Sequence, residues 1–146
     1  MTDIRPGETA VALPEAADAA VYFIGRIHTP WQTRDACPRR GSLDGPICDI
    51  VVEPLWRQAL AGLEAGQRIQ VLYWMHQARR DLTMQTPRSS GKILGTFALR
   101  SPVRPNPIAS SVVLLESIQD GVLSVRGLDC LDGTPLIDLK PDRLSA

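Results

Sequence analysis

Two runs of apolar and β-branched residues, Ile108 to Ile118 and Val122 to Leu128, flank Gln119-Asp120-Gly121, and this pattern limits the chain more than any other. Asp-Gly is the strongest short hairpin signal, because both central residues of the favoured turn must tolerate φ > 0. Further strand patterns surround the hairpin. Val21 to His28 is a strand that Pro30 ends, Ile47 to Glu53 is a second, and Ile69 to His76 reads as a buried third. Ile93 to Leu99 is another, broken by Gly95, and Leu136 to Leu139 is a short last one. Pro54 suits the first turn of a short helix, where its missing N–H costs nothing. Leu55, Ala59, Leu60 and Leu63 follow at helical spacing, with Gly66 as the stop. Ala78 to Lys92 reads as a polar, basic loop, and Trp31 to Pro46 as another. Six or seven strands, one short helix and no βαβ alternation predict a mainly-β single domain, a compact barrel or sandwich with long irregular loops. A Rossmann-type parallel sheet is excluded, because it needs several crossover helices.

The chain has 146 residues, the size of one ordinary domain. Residues 1–20 are rich in Ala, Glu, Asp and Pro without a period, which predicts an extended arm before a domain over 21–146. No apolar run approaches the roughly 18 residues of a membrane span. The N-terminus lacks the basic start and apolar core of a secretory signal, so a soluble cytoplasmic protein is expected. Cys37, Cys48 and Cys130 form no C-x-x-C pair, and His28 and His76 are far apart in sequence, so no metal site is expected.

Charge argues against a generally basic nucleic-acid binder, since Lys+Arg 16 balances Asp+Glu 16. The distribution is less even. Arg79, Arg80, Arg88, Lys92, Arg100 and Arg104 are opposed only by Asp81 between positions 79 and 104. Such a strip can grip a phosphate backbone locally, and it can equally be a solvated face.

Three irregular segments carry candidate chemistry: Cys37-Pro38-Arg39-Arg40-Gly41, the stretch from Leu99 to Ile108, and the stretch from Leu128 to Pro141. In the second, prolines at 102, 105 and 107 stiffen a rail that carries Arg100, Arg104 and Asn106. A stiff rail presents guanidinium forks to a carboxylate or phosphate at little entropic cost. Asn106, fixed between two prolines, offers one donor and one acceptor suited to a purine edge. The same arginines can instead cap carbonyls, or pair with Asp132 or Asp138. In the third segment, Asp132-Gly133-Thr134 is a turn that can present successive backbone N–H groups to a ligand, or a plain connection between strands.

Together these segments resemble the TsaA-like family, the tRNA N6-methyladenosine methyltransferases also called TrmO. The resemblance is carried by Pro38-Arg39, by Leu72-Tyr73-Trp74-Met75-His76, by the run Arg100-Ser101-Pro102-Val103-Arg104-Pro105-Asn106-Pro107-Ile108, and by Leu131-Asp132-Gly133-Thr134-Pro135 through Lys140-Pro141. It implies a compact β-barrel that binds S-adenosylmethionine, works as a homodimer, and methylates N6 of an adenosine beside the tRNA anticodon. In the better-known members that adenosine already carries a threonylcarbamoyl group. Cofactor contacts of the family type fall on Pro38, Arg39, Arg40, His76, Gln77, Arg100, Ser110, Leu131, Asp132, Gly133 and Thr134.

An adenine N6 amine is a weak nucleophile because its lone pair is spread into the ring, so the protein must align it with the departing methyl group. On chemistry Asn106 is the candidate for positioning the amine. Arg104, with Arg100, is the candidate for orienting a cofactor carboxylate, a phosphate or a threonyl carboxylate. His76 is open between cofactor contact, base and core residue. Tyr73 and Trp74 lie on opposite faces of their strand, so at most one faces the cofactor sulfonium. Two further classes remain open: a module that binds S-adenosylmethionine without catalysis, and an RNA-binding barrel without a cofactor.

Overall fold

The structure is a computed structural model that describes residues 3–143. Its strands are β1 (Thr9–Ala10), β2 (Gly25–His28), β3 (Ile47–Val52), β4 (Arg68–Trp74), β5 (Leu82–Gln85), β6 (Leu94–Gly95), β7 (Ile108–Gln119), β8 (Val122–Arg126) and β9 (Thr134–Pro141). Six of them close a barrel in the order β2-β3-β8-β7-β4-β9, while β1, β5 and β6 form a three-stranded sheet. The chain divides into two compact units. The barrel unit is Val21–Trp74 with the described residues from Ala109 onward, and the second unit is the described residues up to Ala20 with Met75–Ile108.

The mainly-β barrel expected from the sequence is the fold observed. In the hairpin, Asp120 (φ 52°) and Gly121 (φ 79°) both adopt left-handed conformations, so the turn residues meet the requirement that made the signal specific. Alternation then sorts the strands. Ile69, Val71 and Tyr73 on β4 point inward, as do Cys48, Ile50 and Val52 on β3 and Leu123 and Val125 on β8. With Ile27, Leu115 and Leu136 they fill an aliphatic core. Closure leaves the barrel without an unpaired edge.

The segment Pro54–Leu60 is helical, with Pro54 in its first turn as expected, but it is a 3-10 helix. None of its residues is buried, and Leu55 is 78% exposed, so no apolar stripe favours the wider α-helical turn.

The second unit departs further from expectation. The presumed loop from Ala78 to Lys92 contains β5, whose inward residues are Leu82 and Gln85. A buried Gln hides the strand from hydropathy, yet its amide is fully used. Nε2 donates to Thr96 Oγ1 (2.8 Å) and to the Val103 carbonyl (2.7 Å), and Thr96 Oγ1 donates to the Leu82 carbonyl (2.6 Å). The expected strand from Ile93 to Leu99 shortens to β6, because Thr96–Ala98 turns into a 3-10 helix around that buried hydroxyl. Part of the N-terminal arm is also in the sheet, with Thr9 opposite Met84 and Ala10 opposite Leu82.

Candidate functional site

In the barrel unit the chain packs the first and third irregular segments together. A Cβ built on Gly41 would run into the Gly127 carbonyl oxygen, so only glycine lets these two backbones approach so closely. Burial first, and the Asp129 charge second, push the Cys37 thiol above its ordinary range. Pro38, Arg39 and Arg40 between these anchors are exposed.

Asp129 is held from below by β4. The Tyr73 hydroxyl donates to Asp129 Oδ1 (2.8 Å) and lies 2.7 Å from Ser111 Oγ. The register of β4 against β9 shifts between Leu72, opposite Asp138, and Tyr73, opposite Leu136. Such irregularities re-aim a side chain. Burial, then the Asp129 charge, drives the Tyr73 phenol far above its usual range, so it stays a proton donor. Since its proton goes to Asp129, Ser111 must donate to the phenol oxygen. Next along β7, Ser110 Oγ accepts from Gln70 Nε2 (2.8 Å).

The turn Leu131–Thr134 is clamped by the chain that leaves β2. Asp132 N–H donates to the Trp31 carbonyl (2.8 Å), Gly133 N–H to Ile27 (2.8 Å) and Thr134 N–H to Leu131 (3.2 Å). Of the two readings the sequence left open for this turn, the structure favours the connection between strands, since all three N–H groups are spent inside the protein. The Asp132 carboxylate is engaged as well, by the Thr29 N–H (3.0 Å) and Gln32 Nε2 (3.3 Å), with His28 Nδ1 at 3.3 Å. Its side chain therefore holds the turn in place.

The second unit carries the other candidates. His76 and Gln77 are exposed, which removes the core reading of His76. Met75 N–H donates to the Pro107 carbonyl (2.8 Å), joining the two ends of the Met75–Ile108 stretch within this unit. Arg104 Nη1 donates to the carbonyls of Leu99 (3.0 Å) and Ser101 (2.8 Å), the capping role the sequence left open. Arg80 Nε donates to the Pro105 carbonyl (2.6 Å), with Nη2 3.4 Å from Asn106 Oδ1. Arg100 and Asn106 are exposed. The rail is thus stiffened by guanidinium groups as well as by prolines.

Sequence reasoning missed Asp129 and Ser111, and treated Tyr73 only as a ring. The available signal was the approach of Asp129 to the Leu131–Thr134 string, but nothing linear joins it to positions 73 and 111. Trp74, on the opposite face from Tyr73, stands against Phe23 with ring centroids 6.2 Å apart. A cavity of about 440 Å³ in the barrel unit is walled by Trp56, Leu60, Leu63, Ile69 and Leu139; it touches the far end of the third segment at Asp138–Pro141 but none of the expected cofactor-binding or catalytic residues. Burial pushes the Cys48 thiol up to about 11 and Cys130 up to about 12, so both are inert core thiols. Among the described residues no group of three His, Cys, Asp or Glu gathers, and no helix is long and apolar enough to cross a membrane.

The family model of the tRNA-methyltransferase O N-terminal domain matches residues 26–143. The chain is 51% identical over 142 residues to a protein of Rhizobium radiobacter named probable S-adenosyl-L-methionine-binding protein VirR, covering 97% of this chain and 81% of that one. It is 38% identical over 117 residues to an S-adenosyl-L-methionine-binding protein of Archaeoglobus fulgidus, covering 80% and 84%. The crystal structure of TrmO from Pseudomonas aeruginosa superposes with a TM-score of 0.70 at 36% identity, covering 86% of this chain. The chain spans 56% of that longer protein.

Proposed function

The chain belongs to the family of the tRNA-methyltransferase O N-terminal domain, and from that membership we propose that it is an S-adenosylmethionine-dependent methyltransferase acting on N6 of an adenosine beside the tRNA anticodon. S-adenosyl-L-methionine is its cofactor. The substrate adenosine carries a threonylcarbamoyl group beforehand, and the protein works as a cytoplasmic homodimer, since one small barrel offers little surface for both cofactor and anticodon loop.

The observation that carries the reading is the close packing, within the barrel unit, of Gly41, which ends the Cys37–Gly41 segment, against Gly127 and Leu128, just before the clamped Leu131–Thr134 turn. The chemistry of that cluster fits the cofactor. Exposed Arg39 and Arg40 suit an amino-acid carboxylate. When bound, the cofactor supplies an electrophilic methyl group. Asp132, engaged from three sides, keeps the turn rigid, so that contacts to Leu131 and Thr134 are set before the ligand arrives. In the second unit, Arg104 holds the rail on which Arg100 and Asn106 face solvent, and their chemistry suits a phosphate and a purine edge.

Calorimetric titration with S-adenosylmethionine, followed by methyl incorporation into tRNA, tests the reading. Saturable binding and label at N6 are expected, and an absence of binding overturns it. Arg104→Ala is expected to lose RNA methylation while retaining cofactor binding, and unchanged turnover would remove Arg104 from this role. Light scattering at working concentration tests the dimer. The names of the relatives also favour a second reading, a cofactor-binding module that transfers nothing. Binding without methyl incorporation into any RNA selects it.

A further inference from the structure

Methylation of an amine leaves a proton to be disposed of. The amine nitrogen gives its lone pair to the methyl carbon, the carbon–sulfur bond breaks with its electrons passing to sulfur, and the nitrogen then carries one proton too many. A group that accepts a hydrogen bond from the N–H beforehand also strengthens the nucleophile. Neither Asn106, whose amide is not a base, nor any Arg can take that proton.

The barrel unit holds one carboxylate in the right condition. Asp129 lies in the connection between β8 and β9, half-buried, one residue before Cys130 and two before the Leu131–Thr134 turn. Oδ1 is fixed by the Tyr73 hydroxyl at 2.8 Å, and among the described residues no hydrogen bond or ion pair engages Oδ2. Asp132, the other acidic group of this region, has both oxygens engaged by Thr29, Gln32 and His28. Tyr73 is 2% exposed, an expensive place for a phenol unless its hydroxyl is partnered, and it is partnered on both sides, by Ser111 and Asp129. The chain Ser111 to Tyr73 to Asp129 therefore comes from β4, β7 and the β8–β9 connection, and it ends on a carboxylate oxygen that is available.

Resting on the methyltransferase reading above, we propose that Asp129 is the proton acceptor of the transfer, taking the amine proton on Oδ2 and passing it to water, with Tyr73 and Ser111 as positioning residues. Atoms and charge balance: the carboxylate becomes a carboxylic acid as the amine loses its proton, and returns to a carboxylate on release. The titratable groups whose ionisation the Asp129 charge influences are Tyr73, Cys37 and Cys130. Burial holds the thiols of Cys37 and Cys130 and the phenol of Tyr73 protonated throughout the acid range, and the bonds to Asp132 keep that carboxyl below its ordinary value.

The test compares wild type, Asp129→Asn and Tyr73→Phe in full-length protein. S-adenosylhomocysteine affinity is read by calorimetry and single-turnover methyl transfer to tRNA as a function of pH. Asp129→Asn is expected to bind S-adenosylhomocysteine within about threefold of wild type while its transfer rate falls about 10²- to 10⁴-fold, the range of general-base effects. Tyr73→Phe removes a hydrogen bond to the ionised carboxylate, so the acid limb of the rate profile should move to higher pH. A purely structural role would lower the rate at every pH without moving the limb. The carboxyl ¹³C resonance of Asp129, followed by NMR in wild type and Tyr73→Phe without cofactor, should show the same displacement. Wild-type transfer with Asp129→Asn unimpaired overturns this assignment alone, as does a loss of affinity that accounts for the whole loss of rate. Wild type that transfers nothing overturns the methyltransferase reading, and this one with it.

Discussion

The two units hold themselves together by different means. The barrel unit buries a continuous set of aliphatic side chains, Ile27, Ile50, Val71, Leu115, Leu123 and Leu136, none of them with measurable exposure. The second unit has three short strands and puts polar side chains where the barrel puts aliphatic ones: Gln85 is 5% exposed and Thr96 3%. Around that pair, Glu8 accepts from the N–H groups of Arg5 (2.8 Å) and Thr86 (3.0 Å), and Arg79 pairs with Asp81 at 2.7 Å. Apolar burial is non-directional and grows with area, whereas a hydrogen-bonded core is specific but contributes only about 1 kcal/mol per bond. The barrel is thus built for stability. The second unit is built to hold a proline rail in one shape.

Leu123→Ala should cut deepest. The residue is fully buried on β8, and truncation leaves a cavity in a closed barrel that cannot easily collapse, so a loss of about 2–5 kcal/mol is expected. Urea unfolding measures it. A loss below about 1 kcal/mol would mean that the barrel core is not the main source of stability, and the contrast between the units would fail.

Gln85→Leu is the matching change in the second unit. The shape is nearly kept, but Thr96 Oγ1 and the Val103 carbonyl each lose a donor, at a cost of about 1–3 kcal/mol. Hydrogen exchange should quicken at the amides of Leu82–Gln85 and Leu94–Gly95 and stay unchanged on β8. Equal acceleration in both units would show that they unfold as one and that the polar core has no separate role.

The same contrast explains what the sequence made legible. The barrel strands could be read because alternation of aliphatic residues is the physical cause of their burial, as on β4, where Ile69, Val71 and Tyr73 go in. The Asp120-Gly121 turn could be read because so few residues accept its backbone angles. β5 could not, because its inward Gln85 looks like a surface residue until Thr96 and Val103 are brought to it from 11 and 18 positions away. The candidate site divides in the same way. Pro38 to Arg40, the rail and the Leu131–Thr134 turn are contiguous strings, visible as composition. The set Tyr73, Ser111 and Asp129 spans separations of 38 and 56 residues, so only the barrel's closure assembles it. Nor does hydropathy tell an arginine that binds a ligand from one that caps its own loop, as Arg104 does.

The smallest effect expected concerns the clamp on the turn, a polar device inside the apolar unit. Burial alone would raise the Asp132 pKa, but the hydrogen bonds from the Thr29 N–H, Gln32 and His28 outweigh it, and the carboxyl sits below its ordinary value. A carboxylate whose folded-state pKa is depressed adds stability that is fully present above its unfolded value of about 3.9 and is lost as pH falls through the lower folded value. The side chain is 30% exposed, so solvent screens the bonds and the contribution is modest. Unfolding midpoints of wild type and Asp132→Asn, followed from neutral pH downward, should differ by a constant amount until about pH 4 and converge below it. A gap that persists unchanged in acid would mean that the shape of the turn, and not the charge of Asp132, holds it in place. In that case the backbone N–H bonds of the turn would hold it without help from a charge, and the barrel unit would depend less on ionised groups than the second unit, with its Arg79–Asp81 pair, does.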